Sequence, residues 1–155
     1  MIAVSLAIIF LTAGIDLLIK WRVEQEVSWK KEEEILGGAG ILRKVHNHGM
    51  MLGVGAEHPG VIKRLSMAAL AVVAIVQAYL LGKPGCLKEK IAMSLLAGGA
   101  VSNTVDRVKR GYVVDYFAFN TKWEKLKKIT YNLGDFAIFA GVILLLVSVI
   151  TGTKE

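Results

Sequence analysis

Four apolar runs alternate with polar connectors along the 155-residue chain. They cover about 2–21, 61–81, 91–108 and 133–151. Each is long enough, or nearly so, to cross a hydrocarbon layer of ~30 Å, which takes about 20 helical residues. The pattern predicts four membrane helices. The third run is the most polar, because Gly98, Gly99, Ser102, Asn103, Asp106 and Arg107 crowd its second half. Polar groups at membrane depth must face protein or a wet cavity rather than lipid. The connector 22–60 carries Trp29-Lys-Lys-Glu-Glu-Glu34, then a glycine-rich piece, then a loosely alternating stretch that predicts short strands or an extended flap. Pro84-Gly85 marks a tight turn in 82–90. The second long connector, 110–130, is basic over 122–128, with Trp123 interleaved.

Composition sharpens this picture. With 54% hydrophobic residues and a mean hydropathy of +0.53, the chain is too apolar for a soluble domain of its size and predicts a single all-α membrane domain. The first run has no basic residues before it and holds Asp16 and Lys20, so it is expected to stay as a membrane helix rather than be cleaved as a signal peptide. The lone cysteine, Cys86, excludes an internal disulfide and a Cys-based zinc site. The net charge of +6 comes from lysines and arginines lying mostly between the apolar runs. There it suits anionic lipid headgroups, and no nucleic-acid partner is expected. Taken alone, the positive-inside rule puts the two long connectors in the cytoplasm.

Candidate chemistry gathers between 98 and 141. Asn103, Asp106 and Arg107 share one helix face by their i, i+3, i+4 spacing. They form either a polar seam, with Arg107 neutralising Asp106 and the asparagine bridging spans, or a substrate clamp in which Asp106 fixes the arginine fork. Asp115 follows the β-like Val113-Val114, and Asp135 opens the last run, where a carboxylate can cap a helix. If the two approach closely, their repulsion separates one base from one acid, enough to hydrolyse a peptide bond through an activated water. Asn47-His-Gly49 begins a second polar patch ending at Gly53; His46 and His48 flank Asn47 in no trusted metal-ligand spacing, so no metal or other cofactor is implied. Asp16 and Lys20, spaced i, i+4, predict an ion pair at the membrane interface.

These blocks resemble the lipoprotein signal peptidases (signal peptidase II), aspartic proteases of the bacterial membrane. The likeness runs through Asp16 and Lys20, Asn47-x-Gly49 with Gly53, Gly98-Gly-Ala-x-x-Asn103-x-x-Asp106-Arg107-x-x-x-Gly111-x-Val-Val-Asp115, and Asn132-x-x-Asp135. It implies Asp115 and Asp135 as a catalytic dyad. It implies Asn47, Asn103, Arg107 and Asn132 as contacts to substrate backbone, with Asp16, Lys20, Gly49 and Asp106 in support. The implied fold is four transmembrane helices with a small extramembrane β-like cradle and a flap. The implied substrate is a prolipoprotein cut before its diacylglyceryl-cysteine, by an enzyme held as a monomer among membrane lipids. The implied orientation in the bacterial cytoplasmic membrane puts the site at the outer face, against the charge count. The chain departs from the family at Ser102 (usually glycine), Met51 and Leu52 (a small residue and an aromatic), Tyr131 (phenylalanine) and Gly134 (alanine). The alternative is a non-catalytic lipopeptide-binding or resistance protein on the same scaffold.

Overall fold

The structure, a computed structural model, describes residues 1–29, 31–50 and 53–152. Met51 and Leu52, two of the departures, lie outside the described residues. Helix α1 spans Ile2–Glu26, strand β1 Glu33–Ile35 and strand β2 Gly40–Asn47. Helices α2 (Pro59–Leu81) and α3 (Leu87–Lys109) follow, then strand β3 (Val113–Phe119), the one-turn α4 (Glu124–Lys127) and α5 (Leu133–Thr151). The result is a mostly helical membrane fold carrying a small three-stranded sheet.

Among the described residues, three helices (α1, α2 and α5) are long and apolar enough to cross a membrane. Four were expected. The third, α3, has 23 residues, about 34 Å at 1.5 Å per residue, but is too polar to qualify by composition. The physical reason is its position. Helix α3 packs against α1, α2 and α5, and Ser94, Ser102, Asn103, Thr104 and Asp106 are buried in those contacts.

Lipid tails are as apolar as leucine, so helices in a bilayer associate by close packing rather than by hydrophobic exclusion. Small residues make that approach here. A Cβ on Gly98 would lie 2.8 Å from the Cβ of Thr12 on α1, and one on Gly99 would collide with the carbonyl oxygen of Gly134 on α5. Further along, a Cβ on Gly141 would meet the Ala92 carbonyl at 2.6 Å.

Helix α1 continues to Glu26, beyond the expected end near 21, because its last turns rest on the sheet. Val23 packs with Val114 and Tyr116 in the buried cluster, and the Glu24 carboxylate meets His46 Nε2 at 2.6 Å. The sheet is antiparallel in the order β1-β2-β3. Between the pairs Leu42↔Phe117 and Val45↔Asp115 the register shifts, a bulge that re-aims the strand on its way to Asn47. Gly111, at φ 83°, makes the left-handed turn from α3 into β3 that a side-chain-bearing residue would resist. At the far end, Tyr131 forms a bridge to Phe117, with Tyr131 N donating to Phe117 O at 2.7 Å. This bridge delivers the start of α5 to β3.

The Gly99 contact is testable. Gly99→Ala forces α3 and α5 apart and is expected to cost about 1–3 kcal/mol, lowering the apparent Tm in detergent. Gly14→Ala, whose Cβ meets nothing within 4 Å, is expected to leave it unchanged or slightly raised. Tryptophan fluorescence on heating distinguishes the two.

Candidate active site

Successive side chains on a strand face opposite ways. On β3, Val114 and Tyr116 turn toward α1, so Asp115 turns toward a cavity of about 110 Å³ that it shares with Asp135, Asn47, Asn103 and Arg107. Asn47 reaches that cavity from β2, where it stands opposite Val113 and therefore diagonal to Asp115. Asp135 arrives on the first turn of α5, one of four residues closed into a capping box. The Asn132 side chain accepts from Asp135 N at 2.8 Å, and Asp135 Oδ2 accepts from Asn132 N at 3.1 Å.

Every carboxylate oxygen of the two aspartates holds one N–H donor. Asn132 Nδ2 donates to Asp115 Oδ1 at 2.6 Å and Asn47 Nδ2 to Asp115 Oδ2 at 3.0 Å. Asn103 Nδ2 donates to Asp135 Oδ1 at 2.9 Å, completing the set with Asn132 N on Oδ2. None of the three carboxamides can be turned over without loss, because each amide oxygen already accepts from an obligate donor. For Asn47 that donor is Gly49 N at 3.0 Å, for Asn132 it is Asp135 N, and for Asn103 it is Lys20 Nζ at 2.8 Å. Burial, with the Asp135 charge beside it, pushes the Asp115 carboxyl up to about 7 despite the hydrogen bonds from Asn47 and Asn132. Around neutral pH Asp115 therefore exchanges its proton readily.

Behind the pair lies a buried polar network. Asp16 and Lys20 form the expected ion pair, and both are 0% exposed, enclosed by protein. Lys20 Nζ lies 2.8 Å from Asp16 Oδ2 and 3.5 Å from Asp106 Oδ2, and donates to Ser102 Oγ at 3.0 Å. Ser102 Oγ donates in turn to Asp16 Oδ2 at 2.5 Å, while Tyr116 Oη donates to Asp16 Oδ1 at 2.9 Å. Burial, with Asp16 adjacent, holds the Tyr116 phenol well above its ordinary value, so it remains a proton donor. Tyr116 Oη also accepts from Leu133 N at 2.9 Å, tying the start of α5 to α1. Ser102 and Tyr116 were not among the residues expected to matter. Tyr116 could have been found from strand alternation next to Asp115, while Ser102 carried no signal beyond its departure from glycine.

Asp106 does not fix the Arg107 fork, nor does Arg107 serve as its neutralising partner. Neighbouring residues on a helix point about 100° apart and do not face each other. Asp106 Oδ2 instead accepts from Val114 N at 3.0 Å and Oδ1 lies 3.5 Å from Arg110, so it anchors β3 to α3. Arg107 Nη2 donates to the Gly49 carbonyl at 2.8 Å, and its buried Nε has no partner among the described residues. Gly49 has no room for a side chain, since a Cβ would meet Val54 O at 2.6 Å. His46 is engaged by Glu24 and stacks on Tyr112, with His48 edge-on to the same ring. Among the described residues no cluster of three His, Cys, Asp or Glu side chains could hold a metal ion.

Asp115, Asp135, Asn47, Asn103 and Arg107 line one cavity, with the buried Asn132 behind it. Residues 8–151 match the family described as signal peptidase (SPase) II. The chain belongs to the signal peptidase II family. A lipoprotein signal peptidase of Symbiobacterium thermophilum is 33% identical over 94% of this chain and 91% of that one. One of Serratia marcescens is 34% identical over 96% and 86%. In fold the chain is similar to two bacterial membrane enzymes solved by the in meso method. One gives a TM-score of 0.84 at 23% identity over 100% of this chain and 93% of that chain; the other gives 0.79 at 22% over 99% and 96%. Membership of the signal peptidase II family makes this chain a membrane protease.

Two predictions follow from the geometry. Asp115 keeps its proton to about pH 7 when folded but loses it near 3.8 when unfolded, so the folded state binds more protons across that window and stability falls as pH rises through it. The apparent Tm of the native protein is expected to drop between pH 5 and 8 by more than that of Asp115→Asn, whose own packing cost does not vary with pH. Lys20→Met strands Asp16 and Asp106 without their cation and is expected to cost about 3–5 kcal/mol, about 10 °C or more in apparent Tm. Adding Asp16→Asn is expected to restore part of that loss in a double-mutant cycle.

Proposed function

We propose that the chain is a membrane aspartic endopeptidase that removes the signal peptide from prolipoproteins, cutting just before a diacylglyceryl-modified cysteine, with Asp115 and Asp135 as its catalytic dyad. The observation that carries this reading is the matched solvation of the two carboxylates, one N–H donor on every oxygen, around a cavity with space for a water and a peptide carbonyl. Family membership supplies the substrate class.

In this mechanism the ionised Asp135 takes a proton from the attacking water as the new C–O bond forms. Protonated Asp115 donates to the carbonyl oxygen, and the resulting tetrahedral diol collapses as a proton passes to the leaving amine. Burial of Asp115 supports its role as the acid, because a carboxyl pushed up to about 7 still carries a proton at the working pH. The unpartnered Arg107 Nε fits a carbonyl of the substrate backbone, and Asn47, Asn103 and Asn132 hold the dyad and the extended peptide in register. The lipid chains lie between the spans, where each buried CH₂ contributes ~0.8 kcal/mol.

The fold is read as one domain with four spans. Helix α3 is the fourth, since α1, α2 and α5 surround its polar groups and lipid need not touch them. Both termini face the cytoplasm, and the sheet with the active site lies at the outer face of the bacterial cytoplasmic membrane. Folded and amphipathic connectors translocate in spite of their lysines, which reconciles this orientation with the charge count. The enzyme works as a monomer without a cofactor.

The test is a gel-shift cleavage assay on a diacylglyceryl-modified prolipoprotein in detergent. Native protein is expected to cleave with or without a chelator, and Asp115→Asn and Asp135→Asn are each expected to lose about 10³-fold or more in kcat while remaining folded. Retained cleavage in either variant sinks the dyad, and binding without cleavage by the native chain would favour a lipopeptide-binding role.

A further inference from the structure

Two cavities meet at Asp115. The small one described above ends against Ile138 and Phe139 of α5, a candidate span. The other is an open groove of about 1090 Å³ running over the sheet. The two share Asn47, Asp115 and Thr130. The walls of the groove come from β2, the segment before β1 and the connector carrying α4, none of which belongs to a spanning helix. A polypeptide drawn across Asp115 therefore has its apolar, membrane-borne half on the α5 side and its water-borne half in the groove.

The groove has a marked charge. Lys31, Arg43, Lys44, Lys125 and Lys128 line it against two lining carboxylates, Glu32 and, at its inner end, Asp115. Arg43 acts as a strut rather than a free cation: Nη1 donates to Glu32 at 3.0 Å, Nε to Thr130 Oγ1 at 2.8 Å and Nη2 to the Lys127 carbonyl at 2.9 Å. Lys44 donates to the Glu24 carbonyl at 3.2 Å, lies 3.9 Å from the Glu24 carboxylate and sits over the Trp29 ring, and Lys31 pairs with Glu33. Lys125 and Lys128 make no ion pair among the described residues, so the groove stays cationic after every pair is counted. A concave wall of one sign focuses its field on whatever enters.

We propose that this groove receives the substrate's mature segment, downstream of the scissile bond, and selects for carboxylate side chains there. The inference rests on the peptidase reading. Anionic headgroups share the carboxylate's charge, but the groove opens directly onto Asp115 through residues common to both cavities, which favours the chain being cut. The ionised Asp135 repels an anion beside the cleavage point, so the preference begins at the second residue after the cysteine.

The experiment compares three diacylglyceryl peptides that differ only at the second to fifth residues after the cysteine, made acidic, neutral or basic. Native enzyme is expected to show kcat/KM about tenfold higher for the acidic than for the basic peptide. The difference should lie in KM and shrink toward unity near 0.5 M salt. The double variant Lys125→Glu/Lys128→Glu is expected to reverse the order of the acidic and basic peptides. Equal kcat/KM for acidic and basic peptides overturns the inference. So does a rate that follows the anionic lipid content of the bicelles and ignores peptide charge. If the folded native enzyme cleaves none of the peptides, the peptidase reading falls instead, and fluorescence anisotropy with the same peptides decides the groove: tighter binding of the acidic peptide, lost in the double variant, upholds it, and equal binding rejects it.

Discussion

The interior of this protein depends on one buried ammonium. An ion stripped of water costs several kcal/mol unless its partners replace the lost hydration, and Lys20 at 0% exposure has four oxygens to do so, from Asp16, Asp106, Ser102 and Asn103. Those oxygens need the cation as much as it needs them, because Asp16 and Asp106 are buried as deeply. The contacts join α1 to α3, and through Asp106 to β3 and Tyr116 to α5. Removing the charge therefore loosens every element that carries an aspartate of the site.

Lys20 reaches Asp135 only through a neutral group. Its ammonium occupies the amide oxygen of Asn103, which leaves the Asn103 NH₂ no direction but Asp135. A cation in direct contact would lock a carboxylate as an anion, whereas a carboxamide orients it without adding charge. Asn47 and Asn132 repeat the device with backbone donors in place of the ammonium. Three neutral amides, each polarised from behind, give the two carboxylates fixed positions without adding charge.

Much of this was legible in the residues, for reasons that differ from one to the next. Asp115 and Asp135 stood out because a charge beside apolar runs is costly without a use, Asn103 because it shares a helix face with Asp106 and Arg107, and Asn47 and Asn132 through the family resemblance. The structure brings all five together through two devices that local pattern cannot express, the β2 register shift and the Tyr131 bridge to Phe117. Helical spacing put Asp106 and Arg107 on one broad face but could not show that adjacent side chains diverge to different partners. Hydropathy placed α1, α2 and α5, yet it counts α3 as too polar because it has no knowledge of the three helices around it. The depth of the Asp16 and Lys20 pair was hidden for the same reason: α3 and β3 bury it, and both lie far along the chain.

The two departures nearest this network both bear on Asp16 Oδ2. Glycine stands at 134 where the resemblance led us to expect alanine, and a Cβ there would lie 2.8 Å from Asp16 Oδ2 and 3.0 Å from Asn132 Oδ1. Serine stands at 102 where the resemblance led us to expect glycine, and its hydroxyl donates to that same Oδ2 at 2.5 Å while accepting from Lys20. With alanine at 134, methyl and carboxylate would compete for space, and Asp16 could not hold its present position. With glycine at 134 and no hydroxyl at 102, Oδ2 would keep Lys20 but lose its second donor, an expensive loss for a carboxylate removed from water. Each change is costly alone, and together they fit. The bare Cα on α5 and the hydroxyl on α3 thus serve the same carboxylate, one by leaving it room and the other by donating to it.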